Sequence, residues 1–134
     1  MDLQKHFHKY NLFVGWGVFL IALLTYGLSV EPTVSFWDCG EYIATSAKLE
    51  VGHPPGAPFF QMVGAFFASF SSSPEKTALF VNFISVFSSA FTILFLYFII
   101  VNFTKKIALS SKETLTNAQV IGLYGSGVVG ALAY

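Results

Sequence analysis

Long apolar runs alternate with short polar segments along this chain. The first run carries no charge from Tyr10 to Val30. Within it, Leu12 to Ser29 can cross a hydrocarbon layer of ~30 Å at ~1.5 Å per residue with slight extension, which places a span at about 12–30. The second run, uncharged from Thr77 to Thr104, predicts a tilted span over 78–103. A third begins near Ala118 and is still apolar at Tyr134, predicting a span over 118–134. Between the first two lies Ala57 to Phe70, apolar but only about 14 residues long, which favours an interfacial or re-entrant helix. Phe59, Met62, Val63, Phe66 and Phe70 recur there near helical spacing, with Gln61, Gly64, Ala65 and Ala68 on a slimmer face. Gly15, Gly17 and Gly27 leave flat spots where another helix can pack closely. Gly122, Gly125, Gly127 and Gly130 mark the last run as a packed helix.

Charge orients these runs. Lys5 and Lys9 flank the start of the first, and Lys105, Lys106 and Lys112 follow the second. Two crossings between those groups put both on the cytoplasmic side, as the positive-inside rule prefers. Residues 31–77 then form one large external loop. Pro32 and Thr33 turn the chain out of the first span. Trp37 to Val51 reads as a short amphipathic helix with Asp38, Glu41, Thr45 and Lys48 on one face. Gly52 is expected to end it. His53-Pro54-Pro55-Gly56 then reads as a stiff, extended turn into the second short helix. Ser71 to Pro74 is a polar connection, with Ser73 or Thr77 available as caps.

Composition sharpens the class. Only 10% of the 134 residues are charged, against roughly a quarter in an ordinary soluble domain. Net charge is zero, so no basic field points to nucleic acid. Cys39 is the single cysteine, which excludes an internal disulfide and a multi-thiolate zinc site. The N-terminal apolar run is longer than the ~7–15 residues of a signal-peptide core and reads as a retained helix. The fold class is an all-α polytopic membrane protein with two short external-loop helices.

The candidate chemistry sits in FWDCGEYIATSAKLEVGHPPG, from Phe36 to Gly56. Asp38 and Glu41, three residues apart, share a helix face at a membrane surface, where acidic residues are expensive and usually functional. They suit a general base, a metal ligand pair or hydrogen-bond acceptors for a substrate hydroxyl. Spacing alone fits solvated charges better. Trp37, Tyr42 and the HPPG turn shift the reading toward a rigid, aromatic-walled cleft. His53 suits a phosphate or a leaving group, though a lone loop histidine more often stabilises its turn. Two carboxylates and a histidine serve a divalent ion or metal-free chemistry equally, so metal dependence stays open. His6 and His8 are too few to define a metal site. The sequon Asn102-Phe103-Thr104 falls at the cytoplasmic end of a span and is read as chance.

A first membrane helix, an acidic D-x-x-E helix in a large external loop and then H-P-P-G resemble the N-terminal part of GT-C membrane glycosyltransferases. The run PTVSFWDCGEYI followed by VGHPPGAP resembles the protein O-mannosyltransferase-like family most specifically, from Pro32 to Pro58. The resemblance implies a polytopic enzyme that transfers mannose or another hexose from a polyprenyl-phosphate donor to a protein Ser/Thr hydroxyl. It implies an acidic residue that serves as the catalytic base or positions the acceptor, matched best by Asp38 with Glu41 a close second, and makes His53, Pro54 and Pro55 part of the same cavity wall. Family members have many more membrane helices, so the chain is expected to be an N-terminal fragment. The membrane is expected to be a bacterial inner membrane, or that of the endoplasmic reticulum in a eukaryote. Partners are then lipid, a lipid-linked sugar, an acceptor protein and membrane proteins docking on the glycine-rich helices. The alternatives are a non-catalytic scaffold subunit and a transporter element with Asp38 and Glu41 at a pore mouth.

Overall fold

The computed structural model describes residues 4–110 and 114–134, and the regular structure among them is all helical, with no strand. Five helices follow one another: α1 Phe7–Ser29, α2 Cys39–Lys48, α3 Pro58–Ala68, α4 Pro74–Ser110 and α5 Asn117–Leu132. α1 and α4 are long and apolar enough to cross a membrane, with mean hydropathies of 1.9 and 2.4. α4 extends beyond the expected 78–103 at both ends, because Pro74 suits a first helical turn and nothing after Phe103 breaks the helix before Ser110. Asn102 and Thr104 of the sequon bond back to the helix's own carbonyls of Phe98 and Ile100 at 2.8 and 2.6 Å.

The third apolar run carries α5. Thr116 fixes the start of α5 with a capping box, accepting from the Gln119 N–H while the Gln119 side chain reaches back to the Thr116 N–H. The resulting helix has 16 residues. Among the described residues α1 and α4 are the two candidate spans, and α5 occupies the third expected one from its start to Leu132. Lys112, part of the charge argument, lies outside the described residues.

The chain forms two compact units. In the unit from Tyr26 to Ser88, α2 packs on α3, and Ile43, Ala78 and Val81 make a small core with Phe60, Ala68 and Ile84 around it. Gly64 permits the approach of the two short helices: a Cβ there would lie 2.6 Å from the Ser46 Cβ and closer still to its hydroxyl. Asn82 of α4 secures the turn after α1, donating to the carbonyls of Glu31 and Thr33 at 2.8 and 3.0 Å.

The other unit joins the chain up to Thr25 with Ser89–Tyr134. Its core holds Val18, Phe19, Ala90, Tyr97, Val101 and Val120, all at most 7% exposed. Tyr97 sits against Gly15 of α1 and Gly127 of α5, where a side chain would collide with its ring. Tyr124 donates to the Phe7 carbonyl at 3.0 Å, and the Lys105 ammonium lies 3.9 Å from the Phe7 ring centre. Gly15 and Gly127 thus pack within the chain, while Gly17, Gly27, Gly122 and Gly125 face open space.

Candidate functional site

α2 is shorter than the sequence suggests, and its ends explain why. Trp37, at φ 65°, breaks the helix on one side, and Leu49, at φ 54°, closes it on the other. Both occupy the left-handed region that ordinarily favours glycine. Glu50 then donates its N–H to Thr45 at 2.9 Å, so the helix stops at Lys48 and not at Gly52. Asp38 becomes the N-terminal flanking residue; its carboxylate is exposed and makes no capping bond. The expected polar face is only partly in water, because Thr45 is buried while Lys48 is exposed.

Gly52 has a different task. A Cβ there would meet the Glu41 carboxylate at 3.0 Å and the Gln61 amide at 3.3 Å. Its absence lets the loop fold back over α2, and His53 lands on Glu41. The His53 N–H donates to Glu41 Oε1 and its Nδ1 approaches Oε2, each at 2.6 Å. A nitrogen this close to a carboxylate carries the proton, which leaves Nε2 directed away from the pair. The His53 N–H and then its imidazole hold the Glu41 carboxyl below its usual range. Reciprocally, the hydrogen bond and then the charge of Glu41 raise His53, and Asp38's charge adds a little in the same sense.

The turn that delivers His53 is tight, not extended. Gly56 donates its N–H to the His53 carbonyl at 2.9 Å, the Pro54–Pro55 peptide is cis, and Gly56 takes φ 76°. Beneath the pair, Gln61 of α3 donates to Thr45 Oγ1 at 3.2 Å, and Thr45 donates to the Glu41 carbonyl at 2.8 Å. Gln61 and Thr45 are each 7% exposed. Neither was picked out as functional from sequence, although Gln61 is the lone polar side chain between Ala57 and Ala68.

Two spaces adjoin the site. The crevice over Glu41 and His53, walled by Tyr42, Thr45, Gly52 and Gln61, leaves no free volume for a water molecule. A second, open cavity of about 370 Å³ is lined by Cys39, Tyr42, Ile43, Phe60, Val81, Asn82 and Ser85. Tyr42 and Ala57 wall both spaces. The aromatic wall is therefore Tyr42 with Phe60, ring centres 5.5 Å apart, and not Trp37, which is 93% exposed. Asp38, Trp37, Pro54 and Pro55 line neither space. Among the described residues no three His, Cys, Asp or Glu side chains are grouped to hold a metal ion. Asp38, Glu41 and His53 thus form a pair and a neighbour, not a ligand cluster.

Comparison with known proteins bears on this segment directly. Residues 38–134 match the family described as the protein O-mannosyl-transferase TMEM260 N-terminal domain. A similar protein is protein O-mannosyl-transferase tmem260 of Dictyostelium discoideum, 30% identical over 81 residues. That alignment covers 60% of this chain and 10% of the relative, so the chain spans about a tenth of its length. No solved structure matches. Because the family match opens at Asp38 and contains both partners of the carboxylate–imidazole pair, the chain belongs to the protein O-mannosyl-transferase TMEM260 N-terminal domain family.

Proposed function

We propose that this chain is the N-terminal membrane part of a longer, polytopic GT-C glycosyltransferase, with α1, α4 and α5 among its membrane helices. The enzyme transfers a sugar, mannose or another hexose, from a polyprenyl-phosphate donor to a protein Ser/Thr hydroxyl at the external membrane face. The compartment is the outer side of a bacterial inner membrane or the lumen of the endoplasmic reticulum. The observation that carries the reading is the Glu41–His53 pair, held by the HPPG turn inside the family-matched segment.

The roles divide by availability. Glu41 has both oxygens occupied by His53 and a lowered proton affinity, so it is a poor base and a good orienting group. Asp38 is exposed one helical turn away and takes the acceptor proton. His53, protonated and fixed through Nδ1, offers its Nε2–H to the donor phosphate as negative charge builds on the leaving oxygen. Tyr42 and the cavity it shares with Phe60 receive the apolar parts of the substrates.

The test is sugar transfer from a polyprenyl-phosphate donor to a hydroxyl-bearing peptide by the full-length protein in nanodiscs. Asp38→Asn is expected to lower turnover by about 10²–10⁴-fold, the usual scale of a lost general base. Near-normal transfer by that variant removes Asp38 from the role, and normal transfer by Asp38→Asn with Glu41→Gln removes this loop from the chemistry.

A further inference from the structure

α3 carries a stripe of large apolar side chains that lie open among the described residues. Phe59, Met62, Phe66 and, just past the helix end, Phe70 are between 57% and 80% exposed. Spacings of three and four residues place them on one face. The opposite face is occupied, since Gln61 and Gly64 are buried against Thr45 and Ser46 of α2. No Asp, Glu, Lys or Arg occurs from Val51 to Pro74. A contiguous apolar face of this kind is rare in water. Its depth decides what covers it.

One ring contact fixes that depth. Phe67 of α3 lies with its ring centre 5.9 Å from that of Phe87 on α4. The uncharged stretch of α4 is bounded by Lys76 and Lys105. A hydrocarbon layer of ~30 Å takes up about 20 helical residues. Starting just inside Lys76 it covers roughly 77–96, and ending just inside Lys105 it covers roughly 85–104. Phe87 is within the layer in both registers. Phe67 is therefore level with hydrocarbon, and Phe60 near the other end of α3 packs in the small core with Val81 and Ile84, so the whole helix lies beside one short stretch of α4.

We infer that α3 is a lipid-immersed anchor whose Phe59, Met62, Phe66 and Phe70 contact phospholipid acyl chains of the external leaflet. Through Gln61–Thr45 and the Gly64–Ser46 contact, it sets the depth at which Glu41 and His53 meet the headgroup region. The inference rests on reading α4 as a span, and the control position below separates the two.

Photo-cross-linking tests it. p-Benzoylphenylalanine replaces Phe59, Phe66 or, as a control on α4, the 60%-exposed Phe95, in the full-length protein in phospholipid nanodiscs. After irradiation, intact-mass analysis is expected to show adducts of one phospholipid mass at Phe59 and Phe66 as well as at Phe95. Adducts at Phe95 alone overturn the anchor and leave the span standing. Cross-links from Phe59 or Phe66 to another segment or a second copy also overturn it, because protein then covers the face. Loss of lipid adducts at all three positions removes the span and the anchor together.

Discussion

Gly64→Ala tests whether the α2–α3 seam holds the site together. The new methyl would sit 2.6 Å from the Ser46 Cβ, an atom that cannot rotate away. Carbon atoms rest at ~3.5–4.0 Å, so the helices must part by about 1 Å. Overpacking of this kind costs about 1–3 kcal/mol, and a backbone-anchored contact belongs at the upper end. Against it stands about 1 kcal/mol gained by replacing glycine with alanine inside a helix. The net expectation is a loss of about 2 kcal/mol, roughly a 30-fold shift in the unfolding equilibrium. The same geometry predicts a rescue. The Ser46 hydroxyl has no hydrogen-bond partner, so Ser46→Gly sacrifices none while clearing both atoms the methyl would meet. The double variant should lie within about 1 kcal/mol of the parent, giving a coupling of about 2 kcal/mol. Reversible SDS unfolding in mixed micelles, followed by far-UV circular dichroism, measures all four proteins. Additive losses, or a neutral Gly64→Ala, would refute the reasoning.

The Glu41–His53 pair carries a pH signature. Glu41 lies below its ordinary 4.5, so its contribution is complete above 4.5 and is lost as pH falls through the depressed value. His53 lies above its ordinary 6.5, so its contribution is complete below 6.5 and is lost as pH rises through the raised value. NMR titration of the His53 imidazole should give a midpoint above 6.5, moved back toward 6.5 by Glu41→Gln, and an unshifted parent midpoint contradicts the pairing. Asn82→Leu removes two bonds to the Glu31 and Thr33 carbonyls. Water can replace them in part, so about 1 kcal/mol should be lost and amide exchange around Thr33 should quicken; unchanged exchange there means the tether is idle. Cysteine labelling should find position 76 accessible from outside and position 105 from the cytoplasm, and labelling of both from one side contradicts the two-crossing topology.

Much of this architecture was legible because apolar runs are one-dimensional signals. α1 and α4 form on the first two long apolar runs, and α3 falls inside Ala57 to Phe70. Prolines and glycines marked the turn between the short helices, and the charged segment before it marked the candidate site. What stayed hidden depended on non-local geometry. Glu41 and His53 are 12 residues apart, and they meet only because Gly52 lets the loop fold back and Gly56 closes a tight turn. The helical pairing of Asp38 with Glu41 was the nearer and more visible choice. The ends of α2 were unreadable for a different reason: Trp37 and Leu49 adopt a backbone conformation that their side chains disfavour, and composition offers no sign of it. Asn82 gave a faint signal as a lone amide near the start of a long apolar run, and its hydrogen bonds to the Glu31 turn explain why it is tolerated there.

A clamped carboxylate beside a free one is a useful arrangement for the proposed transfer. A base must have a free oxygen for the acceptor proton, and both Glu41 oxygens are already taken by His53. A group that steadies the departing phosphate must be fixed and favour its cationic form, and the bond from Nδ1 to the Glu41 carboxylate fixes the His53 imidazole and raises its proton affinity. Had the two carboxylates shared one open face without His53, their mutual repulsion would have raised the proton affinity of one and left no cation nearby. Folding His53 onto Glu41 commits one carboxylate to the imidazole and leaves Asp38 exposed, as the proposed acceptor base needs. That division depends on the absence of a side chain at Gly52, the one position where a methyl would press on both the Glu41 carboxylate and the Gln61 amide beneath it.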